Sequence, residues 1–97
     1  MTPTTVSQNG INLVKKFEGL HKVTEDGMVR AYRCPAGRWT IGWGHCKGVK
    51  SGLRVSTEEC EKYLVEDLND AGAIVKRYVS VALTQEQFDA LVSFVVN

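Results

Sequence analysis

Ala31-Tyr32-Arg33-Cys34-Pro35-Ala36-Gly37-Arg38-Trp39-Thr40-Ile41-Gly42-Trp43-Gly44-His45 is the stretch that decides how this chain folds. Glycine and proline break it into short pieces, and aromatic or β-branched residues fill the spaces between them. Residues 38–43 form one such run and residues 28–32 another, with Gly27, Gly37, Gly42, Gly44 and Gly48 as punctuation. That texture predicts small antiparallel strands joined by tight turns. Cys34 falls in one of those turns, where it is either a small hydrophobe or a functional thiol.

Upstream of the strands the period changes. Ser7 is a plausible N-cap, and Ile11, Val14 and Phe17, with Leu13 and Leu20 alongside, make an apolar stripe at helical spacing. Gly19 stands where such a helix would stop, which puts Glu18 in its last turn. A carboxylate there faces the negative end of the helix dipole. Partial burial beside Phe17 and Leu20 would add a desolvation cost. Both effects favour the protonated carboxyl that a general acid needs. A surface glutamate in a poor helix position is the alternative that local sequence leaves open.

Downstream, the helical signal returns at Ser56. Ser56-Thr57-Glu58-Glu59 reads as a capping box, and Leu64, Leu68, Ala71, Val75 and Tyr78 then follow one face for about six turns. A second box, Thr84 to Gln87, opens another helix, with Leu83 and Phe88 placed for a hydrophobic staple and Phe88, Leu91, Val92 and Val95 expected to face inward. Residues 91–96 are so apolar that a core position, or cover by something else, is expected. The fold class that emerges is α+β. An N-terminal helix and a small antiparallel β lobe occupy about 1–55, a long connecting helix 56–80, and the first helix of a further helical lobe 84–97.

At 97 residues the chain has room for one small domain of ordinary globular composition. No apolar run approaches the roughly 20 residues of a membrane span. The polar first ten residues predict neither a secretory signal nor an amphipathic anchor. The net charge of +1 hides an asymmetry. Up to Val55 there are nine Lys/Arg against three Asp/Glu, and beyond it three against eight. A basic half suits an anionic polymer or is simply a solvated face, and no nucleic-acid-binding motif accompanies it. The three cysteines, Cys34, Cys46 and Cys60, are odd in number and irregularly spaced, which argues against a disulfide framework. A zinc site built from them with His21 and His45 lacks any C-x-x-C spacing, so no metal or cofactor is expected.

Taken together, Glu18-Gly19-Leu20, Ala31-Tyr32, the turn into Trp39-Thr40-Ile41-Gly42-Trp43-Gly44-His45, Ser56 to Leu64, and Leu83 to Phe94 closely resemble the phage-type lysozyme family of glycoside hydrolases. The resemblance runs in order along nearly the whole chain from Ser7. It implies a lysozyme-like fold of two lobes with a substrate cleft between them. It also implies cleavage of the β-1,4 bond between N-acetylmuramic acid and N-acetylglucosamine in peptidoglycan, usually with inversion. Carried over residue by residue, it makes Glu18 the proton donor, with Cys34 and Thr40 holding the attacking water. Five residues lie between Cys34 and Thr40, as the family pattern expects.

Cys34 departs from the aspartate found there in most of the family. A thiol with a reference pKa of roughly 8.5 is a weaker base at neutral pH, unless Arg33 and Arg38 lower it. Fifteen residues separate Glu18 from Cys34, more than in compact members, and the extra segment reads as a longer hairpin. It holds Asp26, a competing candidate that Thr40 and the Tyr-x-Cys turn argue against. His45 could mimic a Cys–His pair with Cys34 or Cys46. It is expected to be structural, with Asp67 its partner by resemblance. Trp39, Trp43 and Arg38 are candidates for sugar binding, although the tryptophans could equally roof a small core. The resemblance implies further helices beyond those present, so the apolar helix 84–97 is expected to associate with a second copy or with a complementing chain. A host-cytoplasmic lysis enzyme acting on the wall through a separate pore is one expectation. A non-catalytic module that binds the wall or a protein is the other.

Overall fold

Ser7 starts the first helix as its sequence predicts. Its hydroxyl accepts from the Gly10 amide at 3.1 Å and its carbonyl from the Ile11 amide at 3.0 Å. The computed structural model describes residues 3–20 and 22–96, and His21 lies outside the described residues. In chain order the elements are α1 (Gln8–Glu18), β1 (Val29–Arg30), β2 (Tyr32–Arg33), β3 (Trp39–Thr40), β4 (Arg54–Val55), α2 (Thr57–Tyr78) and α3 (Gln85–Val96). Gly19 closes α1 in the left-handed conformation at φ 67°, so Glu18 is the last helical residue. No helix among the described residues is long and apolar enough to cross a membrane.

The chain forms two compact units. One is the contiguous segment Glu18–Leu64, and the other joins the residues up to Phe17 with those from Val65 onward. In the contiguous unit, β1 pairs antiparallel with β4 (Val29 opposite Val55) and β2 with β3 (Tyr32 opposite Thr40). Val29, Ala31, Ile41 and Cys60 are buried at its centre, with Leu20, Trp39, Trp43, Val49, Leu53, Val55 and Tyr63 packed around them. Burying a side chain such as Ile41 stabilises this small lobe by about 1.5–3 kcal/mol. The strand β4 lies beyond the run of strands expected from sequence. Two residues are too few to show periodicity, and the Ala31 amide extends its pairing by donating to the Leu53 carbonyl at 2.8 Å.

The segment between Glu18 and Cys34 contains the expected hairpin, closed by a backbone bond from Thr24 to Met28 at 2.7 Å. Asp26 sits at its tip. One carboxylate oxygen accepts from the Thr24 hydroxyl and, at 3.1 Å, from the Met28 amide, while the other pairs with Arg54. That pairing has a local purpose. Arg30 and Arg54 stand directly opposite one another across β1 and β4, an arrangement of like charges that destabilises a ladder unless a carboxylate intervenes.

In the second unit, Val14 of α1, Leu68, Ala71 and Val75 of α2, and Phe88 and Val92 of α3 are all buried. The Phe88 ring packs where a β-carbon on Gly72 would come within 3.2 Å of it. Of the two boxes read downstream, the one at Thr84 closes in both directions, and at Ser56 the hydroxyl caps the helix. The Glu59 amide donates to the Ser56 hydroxyl at 3.1 Å, and Thr84 and Gln87 exchange backbone-to-side-chain bonds in both directions at 2.9 and 3.2 Å.

Four residues of the expected apolar faces depart from the pattern. Leu13, in the middle of α1, is exposed by 42%, and Phe17, Tyr78 and Val95 by 71%, 74% and 38%. The last three lie in the final turns of their helices, beyond the residues that cover the buried line. Phe17 is therefore not the buried residue that its spacing predicts.

Candidate active site

The β2–β3 ladder and its turn carry two of the three expected catalytic groups. Pro35, which has no amide to donate, opens the turn, and the Cys34 amide donates to the Arg38 carbonyl at 2.9 Å while the Gly37 amide returns to the Cys34 carbonyl at 2.8 Å. This folds the backbone around the half-buried Cys34 side chain. The Arg38 amide foremost holds the Cys34 thiol below its ordinary pKa. The Ala36 amide, the Thr40 hydroxyl and the Gly37 amide act in the same direction, and partial desolvation opposes them. Main-chain donors thus do what the arginine charges were expected to do. Arg33 is engaged elsewhere, with its guanidinium 5.1 Å above the Trp39 ring.

Thr40 is buried, and its hydroxyl donates to the Arg38 carbonyl at 3.0 Å. It also reaches the Cys34 sulfur, toward which it can turn when the sulfur is ionised. With its proton committed to either partner, the Thr40 oxygen keeps a lone pair available to a water molecule. Cys60 offers a contrast. It is fully buried, and that burial, then the charges of Glu61 and Glu59, push its thiol up, which suits an inert core residue.

Glu18 enters from the end of α1, and its carboxylate lies over Gly44, where a β-carbon would come within 3.2 Å of Oε2. Tyr32 links the two halves of the site. It stands opposite Thr40 in the ladder, and burial, then the nearby charges of Glu18 and Cys34, raise its phenol above the ordinary value. The sequence reading did not single out Tyr32. Its register opposite Thr40, with the two side chains on one face of the ladder, was the available signal.

Most of the remaining candidates have structural partners. Trp39 and Trp43 both pack against the β-lobe core, each still partly exposed, and Arg38 is exposed. His45 is buried and stacks face to face on Tyr63, ring centroids 4.3 Å apart. Asp26 is committed to its hairpin and to Arg54. Among the described residues, no cluster of His, Cys, Asp or Glu has the makings of a metal site.

An α+β chain with a carboxylate at a helix end facing a small β lobe is the framework of a lysozyme-type protein. The phage lysozyme family model matches residues 15–97, and the chain belongs to that family. It is 38% identical over 92 residues to an endolysin of Acyrthosiphon pisum secondary endosymbiont phage 1, covering 95% of this chain and 58% of that protein. It is 41% identical over 95 residues to an endolysin of Bacillus phage B103, covering 95% of this chain and 34% of the relative. Among solved structures, the muramidase domain of SpmX from Asticaccaulis excentricus superposes with a TM-score of 0.81 at 39% identity, covering 97% of this chain and 59% of that one. The endolysin from Escherichia coli O157:H7 phage FAHEc1 gives 0.78 at 37% identity, covering 96% and 57%. The chain therefore spans between about a third and three-fifths of the length of these relatives.

Proposed function

We propose that this chain carries the catalytic residues of a peptidoglycan hydrolase that cleaves the β-1,4 bond between N-acetylmuramic acid and N-acetylglucosamine. The observation that supports this reading is that Glu18, Cys34 and Thr40 belong to one compact unit, with Tyr32 opposite Thr40 in the ladder and within reach of the charges of Glu18 and Cys34. The names endolysin and muramidase among similar proteins support the substrate class.

In this mechanism Glu18 gives its proton to the glycosidic oxygen as the bond to the anomeric carbon breaks. Water attacks that carbon from the opposite face, losing a proton to the Cys34 thiolate while the Thr40 oxygen orients it. Solvent then returns a proton to Glu18 and removes one from Cys34. Release of reducing ends from purified peptidoglycan by wild type but not by Glu18→Gln tests the assignment. Wall binding without release, unchanged in Glu18→Gln, would instead identify a non-catalytic wall-binding module. As a lysis enzyme the protein would be made in the host cytoplasm and reach the wall through a separate pore.

The depressed thiol of Cys34 sets a sign for the pH dependence. The thiolate base exists above the folded pKa, so activity should rise with pH along a limb that lies below the ordinary thiol value. Cys34→Asp replaces that base by one with a reference pKa of about 3.9. The variant should keep or raise activity at neutral pH, and its acid limb should move to lower pH. A limb that stays in place on substitution, or complete loss of activity, would remove Cys34 from the mechanism.

The apolar residues exposed on α3 support association with a second copy or with a separate chain that covers them. Phe94 is 80% exposed. Light scattering of the wild type should show mass increasing with concentration, and Phe94→Asp should suppress the increase. A wild type that stays monomeric as concentration rises would exclude self-association.

A further inference from the structure

Among the described residues seven glycines adopt positive φ, and Gly44 differs from most of them in what it faces. At Gly27, Gly37, Gly48 and Gly52 an added β-carbon would meet nothing within 4 Å, so the turn alone accounts for them. At Gly42 it would meet the Cys60 β-carbon and sulfur at 3.0 Å. At Gly44, with φ +88°, it would lie 3.2 Å from Glu18 Oε2, 3.5 Å from Cδ and 4.0 Å from Cγ. The bare side of Gly44 is therefore the surface on which the Glu18 carboxyl rests.

The turn that presents this surface is held on every side. Ile41 and His45 exchange both backbone hydrogen bonds, at 2.8 and 3.0 Å. Ile41 is in the core, Gly42 is pressed against Cys60, and the His45 ring lies parallel to that of Tyr63 within 2°. A flexible glutamate side chain carries several rotatable bonds, and a fixed seat removes much of that freedom before substrate arrives.

We propose that Gly44 is a positioning residue for the proton donor, the 41–45 turn forming a rigid seat that sets the Glu18 carboxyl at its working height. The proposal rests on the assignment of Glu18 as the acid. A β-carbon at position 44 would force the carboxyl to give by a few tenths of an ångström. The expected loss is on the order of tenfold in kcat, short of the hundredfold that a full ångström can cost.

The test compares Gly44→Ala with Gly52→Ala. Gly52 has nearly the same strained backbone, φ +86°, but faces open space, so it reports strain without contact with the acid. Both variants should melt at lower temperature than the wild type. Only Gly44→Ala should lower kcat with KM nearly unchanged, and only it should move the Glu18 Cδ resonance in carbon-13-labelled protein. Gly44→Asn, which tolerates left-handed φ better, should do the same if the alanine variant folds poorly. In the Gly44→Ala background, Glu18→Asp should cost less than it does in the wild type, because the shorter acid clears the added carbon.

An unmoved Glu18 resonance in Gly44→Ala, or an equal kcat loss in Gly52→Ala, would overturn the seat. The resonance comparison needs no turnover, so it decides the matter even in a preparation without activity. Full activity in Glu18→Gln would remove the acid assignment while leaving the resonance result to stand or fall separately.

Discussion

Glu18→Gln should lower the rate of reducing-end release by about a thousandfold, within the 10²–10⁴ range typical of a lost general acid. Glutamine has the size of glutamate and can rest against Gly44 in the same way, but it has no proton to transfer at working pH. The change should therefore fall on kcat, with wall binding and melting temperature close to the wild type. The size of the effect separates the roles in the site. A sugar leaving group with no acid has no alternative donor among Cys34 and Thr40, whose tasks concern the water on the other face of the ring. A loss smaller than about tenfold would mean that protonation comes from elsewhere, and the mechanism above would have to be abandoned.

The largest stability effect is expected at Asp89. This carboxylate on α3 is nearly buried, and it accepts from the Ser7 amide at 3.1 Å, from the Ser7 hydroxyl, and from the Gln85 side-chain amide at 2.8 Å. Gln85 also donates to the Thr5 carbonyl at 3.0 Å, so the cluster fastens the entry to α1 as well as its cap. Asp89→Ala would strand the Ser7 amide and leave a hole where the carboxylate was. The expected cost is about 3 kcal/mol, from hydrogen bonds to a charged acceptor and from an orphaned donor. Asp89→Asn keeps the volume but turns a donor toward Ser7, so it should recover only part of the loss. Equilibrium denaturation gives both numbers, and a cost under 1 kcal/mol for alanine would show that the cluster is incidental. The same carboxylate accounts for the glycine in the first turn of α1. A β-carbon at Gly10 would sit 2.7 Å from Asp89 Cγ and 2.5 Å from Val6 Cγ1, too close for either to remain.

What could be read from the sequence was what short range determines. Ser7, Ser56 and Thr84 act as caps because the groups they satisfy lie three residues away, so residue type and spacing were sufficient. Gly19 ended α1 for the same reason, and that placed Glu18 correctly. The Asp89 cluster was invisible for the opposite reason. Phe88-Asp89-Ala90 reads as a helix with one solvated carboxylate, and its partner Ser7 lies 82 positions away. Phe17 and Tyr78 have the right period but stand past the end of what covers them, a limit that periodicity cannot express. Within the site, the spacing of Cys34 and Thr40 was legible. Gly44 was legible only as punctuation, since its contact with Glu18 is a matter of how the chain returns on itself.

The division of the chain has a consequence for the order in which it is built. The unit Glu18–Leu64 is continuous, so during synthesis all of its partners are available once Leu64 has emerged. The other unit is discontinuous, and α1 has its cap completed by Asp89, 82 positions beyond Ser7. Until Asp89 arrives, α1 is an 11-residue helix, too short to persist alone in water. The contiguous unit, Glu18 included, can thus form as soon as it is made, while α1 waits for a loop closure of 82 positions. Amide exchange in α1 should accordingly follow the integrity of α3 rather than that of its immediate neighbours in sequence.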